Sequence, residues 1–509
     1  MTSTIPRPAD TILDAHASVV HAIDEIAFAA IVLGLASAPF WFGGNRPLAW
    51  GLHAIWFPGI AVLYESGRLV GGRRHPVALG RIAIPAAGVA LVALWAGAQI
   101  VGWIPVGAQH PLWGMAREAL GRDLPGAISI DADETAMALV KFATAACLFW
   151  TTMQLSRSPR RARALVAAVA IIGAVYAAYG IIALLVFPET ILWYSKISYN
   201  GYVTSTFVNR NSYAAYAGIG LMAAAAMAMR HFAAGERRGD PSVQRRIVAA
   251  IATAAGAGGA WLAAASVIVV ALLLTASRGG VLSTLVGALA LLAIAGLRGR
   301  KHGVSAGAGL LIALMLIAAI VFAFGDSFAD RLASRGFASE ERSAVYRLTL
   351  LSVADAPLLG SGWGTFREVL PMYRDSTLGP FGAWDFAHDS YLEGIQGLGV
   401  PAAAILLIAI AALVARVVHA SLARSHSATA PMAASAATVV VSLHAFVDFS
   451  IQIQAVTLTW AALLAAGVAQ SWSGRAMTDR ETGRAVRPRE KFAGPLSPAR
   501  SEDSVGSFR

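Results

Sequence analysis

Apolar runs of about 20 residues recur along the chain between short polar segments, and each run is long enough for an α-helix to cross a bilayer. This pattern predicts an all-α polytopic membrane protein with about twelve transmembrane helices. Residues 247–275 are mostly small, and they fit either one long helix or a re-entrant segment. The predicted spans are 26–43, 47–64, 82–101, 136–155, 164–187, 212–229, 258–275, 280–297, 304–325, 392–415, 432–449 and 453–470.

The composition agrees with a membrane protein, because 57% of the residues are hydrophobic, 14% are charged and the mean hydropathy is +0.62. The single cysteine, Cys147, lies inside a span, so no disulfide or thiolate metal site is predicted. The predicted plan is a cytoplasmic N-terminal segment at 1–25, nine spans in 26–325, a large loop at 326–391, three spans in 392–470 and a disordered basic cytoplasmic tail at 471–509.

Lysine and arginine placement orients the helices, because cytoplasmic connections are rich in these residues. With the N-terminus in the cytoplasm, 27 of the 40 basic residues fall on the cytoplasmic side, and every short connection there is basic. We therefore expect both termini in the cytoplasm. The net charge of +11 is a consequence of this topology and does not imply a nucleic-acid partner.

The loop at 326–391 is too long and too mixed in charge to be an ordinary connection. Residues 340–354 have helical periodicity, with Val345, Leu348 and Leu351 on one side, and the glycine-rich segment 360–364 then predicts a turn. We expect a small, partly helical cap on the non-cytoplasmic face.

Two arginines, Arg210 and Arg278, are predicted at that same face, each beside the end of a span. Either side chain could simply snorkel to the interface, and Asn209 or Asn211 could cap the following helix. Together the two guanidinium groups favour binding of an anionic lipid-linked substrate, because a guanidinium group can donate two parallel hydrogen bonds to a phosphate. Arg347 adds a third candidate charge from the cap.

Two histidines and two carboxylates are the candidate titratable groups. His388 precedes a span and suits a general base for a sugar hydroxyl, although taken alone an interfacial histidine is more often a hydrogen-bonded packing group. Asp389 could orient an acceptor or cap a helix. His444 and Asp448 lie four residues apart on a predicted span, where ionisable pairs are functional candidates or structural hydrogen-bonding pairs.

Two further polar segments have alternative interpretations. Residues 131–134 contain the sequence Asp-Ala-Asp-Glu, which we interpret as a helix start and not as an Asp-x-Asp metal motif, because no second acidic cluster is near in sequence. Trp193, Tyr194, Tyr199 and Tyr202 could stack on sugar rings or form an aromatic belt at the bilayer surface.

Over roughly residues 130–470 the chain resembles the O-antigen ligase and O-antigen polymerase family of bacterial envelope-glycan transferases. Each motif is short, but their order and spacing within the predicted plan of spans make the set specific. The motifs that carry the resemblance are Ser129-Ile-Asp131, Thr206-Phe-Val-Asn-Arg-Asn211, Ser277-Arg-Gly-Gly280, Pro357-Leu-Leu-Gly-Ser-Gly-Trp-Gly-Thr-Phe366, Ala387-His-Asp-Ser-Tyr-Leu392 and His444-Ala-Phe-Val-Asp448.

The resemblance implies a GT-C-like membrane glycosyltransferase that works on the periplasmic side of the bacterial inner membrane without nucleotide, metal or other cofactor. The family's membrane arginines match Arg210 and Arg278, its loop arginine matches Arg347, and its loop histidine matches His388. The expected catalytic residues are His388, Arg278 and Arg210. The expected substrate-binding residues are Arg347, Asn209, Asn211, Asp389, Tyr391, His444 and Asp448.

The resemblance also implies an undecaprenyl-diphosphate-linked oligosaccharide donor and a glycan or lipid A-core acceptor. We favour a polymerase of exopolysaccharide or O-antigen repeat units, with a chain-length regulator as a possible partner. A ligase would instead make a single transfer to lipid A core or protein, and Asp389 departs from the ligase pattern of Asn, Ser or Gln after the histidine. A flippase for lipid-linked glycans is the third alternative, and its charges would lie nearer the bilayer midplane.

Overall fold

The structure is a computed structural model, and it describes residues 8–236, 252–253, 255–302, 340–378, 382–424 and 428–472. The molecule is an all-α polytopic membrane protein. Within these residues, nine helices are long and apolar enough to cross a membrane, and two shorter apolar helices accompany them.

Fifteen α-helices and one short hairpin are seen in the described ranges. The helices are α1 Pro8–Ser37, α2 Pro47–Val70, α3 Ala83–Gln99, α4 Pro111–Leu120, α5 Ala132–Leu155, α6 Pro159–Val186, α7 Arg210–Glu236, α8 Ala257–Leu274, α9 Arg278–His302, α10 Glu340–Asp355, α11 Phe366–Tyr373, α12 Ser390–Leu398, α13 Val400–Ala423, α14 Thr429–His444 and α15 Gln454–Ala469. The hairpin pairs β1 Thr190–Ile191 with β2 Tyr194–Ser195 in antiparallel register.

Three predicted spans continue well past a point where the helix ends or breaks, and a fourth, 304–325, lies outside the described residues. The span predicted at 392–415 is two helices, because the chain breaks at Gly399 with a φ of +78° and α13 then begins with a proline in its first turn. The first helix ends at Ser37 and not at residue 43, since Pro39 and a left-handed turn follow. The span predicted at 432–449 stops at His444.

Helix α7 is the centre of the bundle and packs against α6, α8, α9 and α14. Its residues 212–229 are buried almost throughout, and most of them are Ala, Gly or Met. Small residues let the backbones approach closely: a Cβ added to Gly173 of α6 would lie 3.1 Å from Cα of Gly220 in α7. This close packing holds the start of α7, and therefore Arg210, in a fixed position.

The described part of the large loop is a folded cap, formed by α10, α11 and residues 374–378 and 382–389. Its core includes Val345, Leu348, Phe366 and Leu370, all nearly fully buried. Helix α10 was predicted at this position, but Leu351 does not belong to the buried face and is 47% exposed. The buried residues 345, 348, 349 and 352 recur every three or four positions and so lie on one face of the helix. Residue 351 lies at the edge of that face.

The glycine-rich turn attaches this cap to the helix bundle. Gly360, Gly362 and Gly364 all have left-handed φ values, between 69° and 108°, which only glycine adopts readily. Gln99 at the end of α3 donates to the carbonyl oxygens of Leu359 and Gly397, both at 2.8 Å. The turn therefore fixes the cap to α3 and α12.

Candidate active site

Two helix N-termini meet at one cavity of about 490 Å³. Helix α7 begins at Arg210 and α9 begins at Arg278, and both side chains line the cavity. The free N–H groups and the positive dipole end of each helix add to the two guanidinium charges. The structure therefore brings the two sequence-predicted arginines to the same cavity, each at the N-terminus of a helix.

The local sequence explains how Arg278 reaches the cavity. Ala276 adopts a left-handed φ of 49°, and the hydroxyl of Ser277 accepts from the Gly280 N–H at 3.2 Å, which closes a tight turn between α8 and α9. A Cβ at Gly280 would lie 2.4 Å from Ala214 of α7, so only glycine allows the two helices to pack this closely. The Ser-Arg-Gly-Gly motif thus places α9 against α7.

Two tyrosines hold Arg210. Its guanidinium lies 4.3 Å from the ring centre of Tyr202 and 5.4 Å from that of Tyr199. Burial raises the pKa of the Tyr199 hydroxyl. Nε of Arg210 is buried and has no hydrogen-bond partner among the residues that the structure describes. Tyr199 and Tyr202 therefore position the Arg210 guanidinium group. Trp193 and Tyr194 instead pack against Phe42 at the exposed hairpin.

A buried carboxylate connects the cavity to His388. Asp448 is 1% exposed and lies in the turn after α14. It accepts from Asn211 Nδ2 at 2.9 Å and from Ser450 Oγ at 3.0 Å, and His388 Nδ1 lies 3.5 Å from its Oδ2. His444 was expected to face Asp448 directly, but Ser450 Oγ bridges the two, 3.0 Å from His444 Nδ1. The helix ends at His444, so the one-turn spacing does not apply.

The backbone around His388 is held from three sides. His388 has a left-handed φ of 57°, which a non-glycine residue adopts only under constraint. Tyr346 of α10 donates to the His388 carbonyl at 3.0 Å, and Ser390 N donates to the Ala445 carbonyl at 2.8 Å. The buried carboxylate of Glu393 accepts from Ala387 N at 2.8 Å, and burial raises the pKa of this carboxyl to about 7. His388 does not line the cavity itself and is connected to it through Asp448.

Four other predicted site residues have defined local partners. Asn209 accepts from Asn211 N at 2.7 Å and so caps α7. Asp389 caps α12, accepting from the N–H groups of Tyr391 and Leu392 at 3.0 Å each, and burial raises the pKa of its carboxyl. The Tyr391 hydroxyl donates to the Ser442 carbonyl at 2.9 Å. Of these four, only Asn211 lines the cavity.

The cap contributes a different arginine from the one predicted. Arg347 lies outside the cavity, half exposed, in an ion pair with Asp375, and it also donates to Thr377 Oγ1 at 3.1 Å. Arg342, one and a half turns earlier on α10, lines the cavity and donates to the Val447 carbonyl at 3.1 Å. Sequence reasoning missed Arg342, and its spacing of four residues from Tyr346 was the available signal that both share one helix face.

The acidic segment at 131–134 is a helix start, as predicted. Asp131 caps α5 by accepting from the N–H groups of Asp133 and Glu134 at 2.9 Å and 3.1 Å. Within the described ranges, no group of three His, Cys, Asp or Glu side chains is arranged to hold a metal ion.

Residues 263–407 match the family model described as O-antigen ligase. The chain carries an O-antigen ligase domain. This domain runs from within α8 into α13, and it supplies Arg278, Arg342, Arg347 and His388. Arg210 and Asp448 lie outside the matched range, so the cavity is completed by flanking helices. No curated protein matches the chain.

The O-antigen ligase domain indicates glycan transfer of the ligase and polymerase type in a membrane, with a lipid-linked glycan and an acceptor as substrates. Arginines line the cavity, and a histidine outside it lies beside its buried carboxylate. Guanidinium groups can neutralise a phosphorylated leaving group, and a histidine beside a buried carboxylate can accept a proton.

Proposed function

We propose that this protein transfers a glycan from undecaprenyl diphosphate to a hydroxyl group of a glycan acceptor, on the periplasmic face of the bacterial inner membrane. We further propose that it polymerises the repeat units of a surface polysaccharide. The observation that carries the proposal is one cavity lined by Arg210, Arg278, Arg342 and Asp448, with His388 next to that carboxylate.

The arginine side of the cavity suits a diphosphate. Three guanidinium groups from three different helices line it, and two of those helices point their N-termini at it. Diphosphate is already a good leaving group, so the main requirement is stabilisation of its charge and alignment of the reacting atoms. Arginines can supply that stabilisation in place of a divalent cation, which is why we propose a metal-independent transfer.

The other side of the cavity is apolar and suits a polyprenyl chain. Leu282 and Val286 of α9, Leu443 of α14 and Phe446 just after α14 line it. Leu282 and Phe446 are 49% and 55% exposed, and Leu289 continues the same face of α9 at 50%. A ligand with a charged head and a long apolar tail fits this division better than a free sugar phosphate does.

His388 is the proposed base on the acceptor side. Its ring packs edge-on against Trp384 and Phe449, with ring centres 5.4 Å and 4.9 Å apart, and its side chain is 17% exposed. Asp448 orients the imidazole and stabilises the imidazolium that forms when the acceptor hydroxyl loses its proton. Aromatic walls beside a base are also suited to packing against a sugar ring.

We favour a polymerase because Asp389 occupies the position after the histidine at which ligases of the resembled family have Asn, Ser or Gln. In the structure its carboxylate caps α12 and holds the residues that follow His388. A polymerase would use lipid-linked glycan both as donor and as acceptor, and a chain-length regulator would be a partner outside this chain.

The test is a reconstituted reaction. Purified full-length protein is given an undecaprenyl-diphosphate-linked repeat unit in the presence of a chelator, with no other acceptor, and Arg278→Ala is the matched control. We expect a ladder of longer lipid-linked glycans from the wild type and none from the variant.

Other results would change the assignment. A single transfer product that needs added lipid A core or protein would make the protein a ligase. Loss of the ladder on adding chelator would contradict metal independence. No product under any condition, from protein that remains monodisperse, would contradict the transferase proposal and favour transport.

A further inference from the structure

One buried carboxylate lies between two histidines. Asp448 Oδ2 is 3.5 Å from His388 Nδ1, and Asp448 Oδ1 is 3.0 Å from Ser450 Oγ. Ser450 Oγ is in turn 3.0 Å from His444 Nδ1. His444 and Asp448 are each 1% exposed, and Ser450 is 2% exposed. Both histidines therefore reach the same negative charge, one directly and the other through a single hydroxyl.

The hydrogen bonds determine which nitrogen of His444 exchanges a proton. A serine hydroxyl has only one hydrogen, and Ser450 donates it to the Asp448 carboxylate. Ser450 Oγ must therefore accept from His444 Nδ1, which leaves Nε2 as the titrating atom. A Cβ added to Gly279 would lie 3.6 Å from that Nε2, so this atom lies against the start of α9, next to Arg278. The titrating nitrogen is on the cavity side.

We propose that His444 donates a proton to the departing diphosphate while His388 takes one from the acceptor, so that a single positive charge moves between the two histidines around Asp448. The proposal rests on the proposed function and adds a residue role to it. His444 becomes a catalytic residue on the leaving-group side, and Ser450 becomes a positioning residue.

The step balances. The acceptor oxygen forms a bond to the anomeric carbon of the donor sugar as its proton passes to His388. The bond between that carbon and the phosphate oxygen breaks, its electron pair stays on the oxygen, and the oxygen takes the proton of His444 Nε2. One proton enters and one leaves the set of His388, Asp448 and His444, so its net charge is unchanged. His388 then releases its proton to water, and His444 regains one when the next donor binds.

One carboxylate, Asp448, is enough for both histidines because only one of them carries a positive charge at a time in the proposed step. In a buried site, one imidazolium is well paired by one carboxylate, whereas a second would be uncompensated. Among the described residues, the charged and titratable groups that line the cavity with His444 are Arg210 on α7, Arg278 on α9, Arg342 on α10 and Asp448, and His388 lies next to Asp448. Arg342 lines the same cavity and opposes a positive charge on His444, so an anion bound in the cavity favours protonation of His444. Diphosphate binding should therefore take up a proton.

Calorimetry of farnesyl diphosphate binding tests this. Full-length protein in detergent is titrated near neutral pH in two buffers of different ionisation enthalpy, and the difference gives the number of protons taken up. We expect roughly one proton per bound ligand for the wild type. His444→Gln, which can still bond to Ser450, and Asp448→Asn should each lower the uptake by at least half. The matched control is His53→Gln, a buried histidine bonded to Gln454 at 2.6 Å and outside the cavity, which should keep the uptake.

Equal proton uptake in the wild type and in His444→Gln would overturn the inference, as would ligand binding to the wild type without any uptake. The second outcome needs no variant, so a folding defect in His444→Gln would not protect the idea. Failure of the proposed function gives a different result, namely no binding of farnesyl diphosphate, or binding that Arg278→Ala leaves unchanged.

Discussion

Arg342 and Arg347 lie five residues apart on α10, and the structure gives them different surroundings. Arg342 lines the cavity with Arg210 and Arg278, whereas Arg347 is ion-paired with Asp375 on the exposed side of the cap. The sequence resemblance points to Arg347 as the third phosphate-binding residue, and the geometry points to Arg342. Replacing each by alanine separates the two hypotheses, because the two variants remove the same side chain from the same helix.

The magnitude follows from the contact that each side chain makes. A hydrogen bond to a charged group contributes about 1.5–3 kcal/mol, and each 1.4 kcal/mol corresponds to about a factor of ten. Arg342→Ala should therefore lower kcat/KM for the lipid-linked donor by about 10- to 150-fold. Arg347→Ala removes a solvent-exposed ion pair, which contributes little, so we expect less than about a threefold change.

The assay is initial-rate measurement at varied donor concentration on purified variants, with the melting temperature of each measured to confirm folding. Arg342→Lys is a further control, because a lysine keeps the charge without the guanidinium fork, and its loss should be intermediate. A defect in Arg347→Ala equal to or larger than that of Arg342→Ala, in folded protein, would refute the placement of Arg342 in the phosphate site.

Three other predictions concern the base, the acidic helix start and the buried glutamate. His388→Ala should lower kcat by roughly 10²-fold or more with little change in donor binding, measured by rates and by calorimetry, and an unchanged rate would remove it from the mechanism. Asp131→Ala should cost about 1 kcal/mol of stability through loss of the α5 cap, with transfer retained and still insensitive to chelator; loss of transfer in folded protein, or chelator-sensitive transfer by the wild type, would contradict this role. Burial raises the pKa of Glu393 in α12, which precedes the spanning helix α13, to about 7 from an ordinary value of 4.5. Between these two values the folded protein holds a proton on Glu393 that the unfolded chain has lost, so the free energy of unfolding should fall as pH rises through that window. The melting temperature of Glu393→Gln should fall less than that of the wild type over the same pH range. Parallel pH profiles for the two proteins would disprove the raised pKa of Glu393.

Features that depend on local pattern could be predicted from the sequence. Apolar length located most of the described spanning helices, and the cap of α5 by Asp131 follows from short-range hydrogen bonding. The turn at 360–364 follows from glycine content, and its left-handed φ values show why glycine is needed there. The gathering of Arg210 and Arg278 was also predictable, because helix counting alone puts both at one membrane face.

Features that depend on packing could not be predicted. The α10 periodicity gives a buried face, but it does not say that Arg342 meets Val447 while Arg347 meets Asp375. The contact between His388 and Asp448 joins residues 60 positions apart and is made by a turn that begins where α14 ends. The sequence pattern predicted a direct His444–Asp448 pair because it assumed a continuous helix, and a serine beyond the helix end makes the bridge instead.

The most direct test of the account is a structure of the full-length protein in lipid with undecaprenyl diphosphate bound. We predict that both phosphates lie within hydrogen-bonding distance of Arg210, Arg278 and Arg342, with the polyprenyl chain leaving along Leu282 and Phe446. Phosphate density at another site, with this cavity empty, would contradict the central claim that these arginines hold the leaving group.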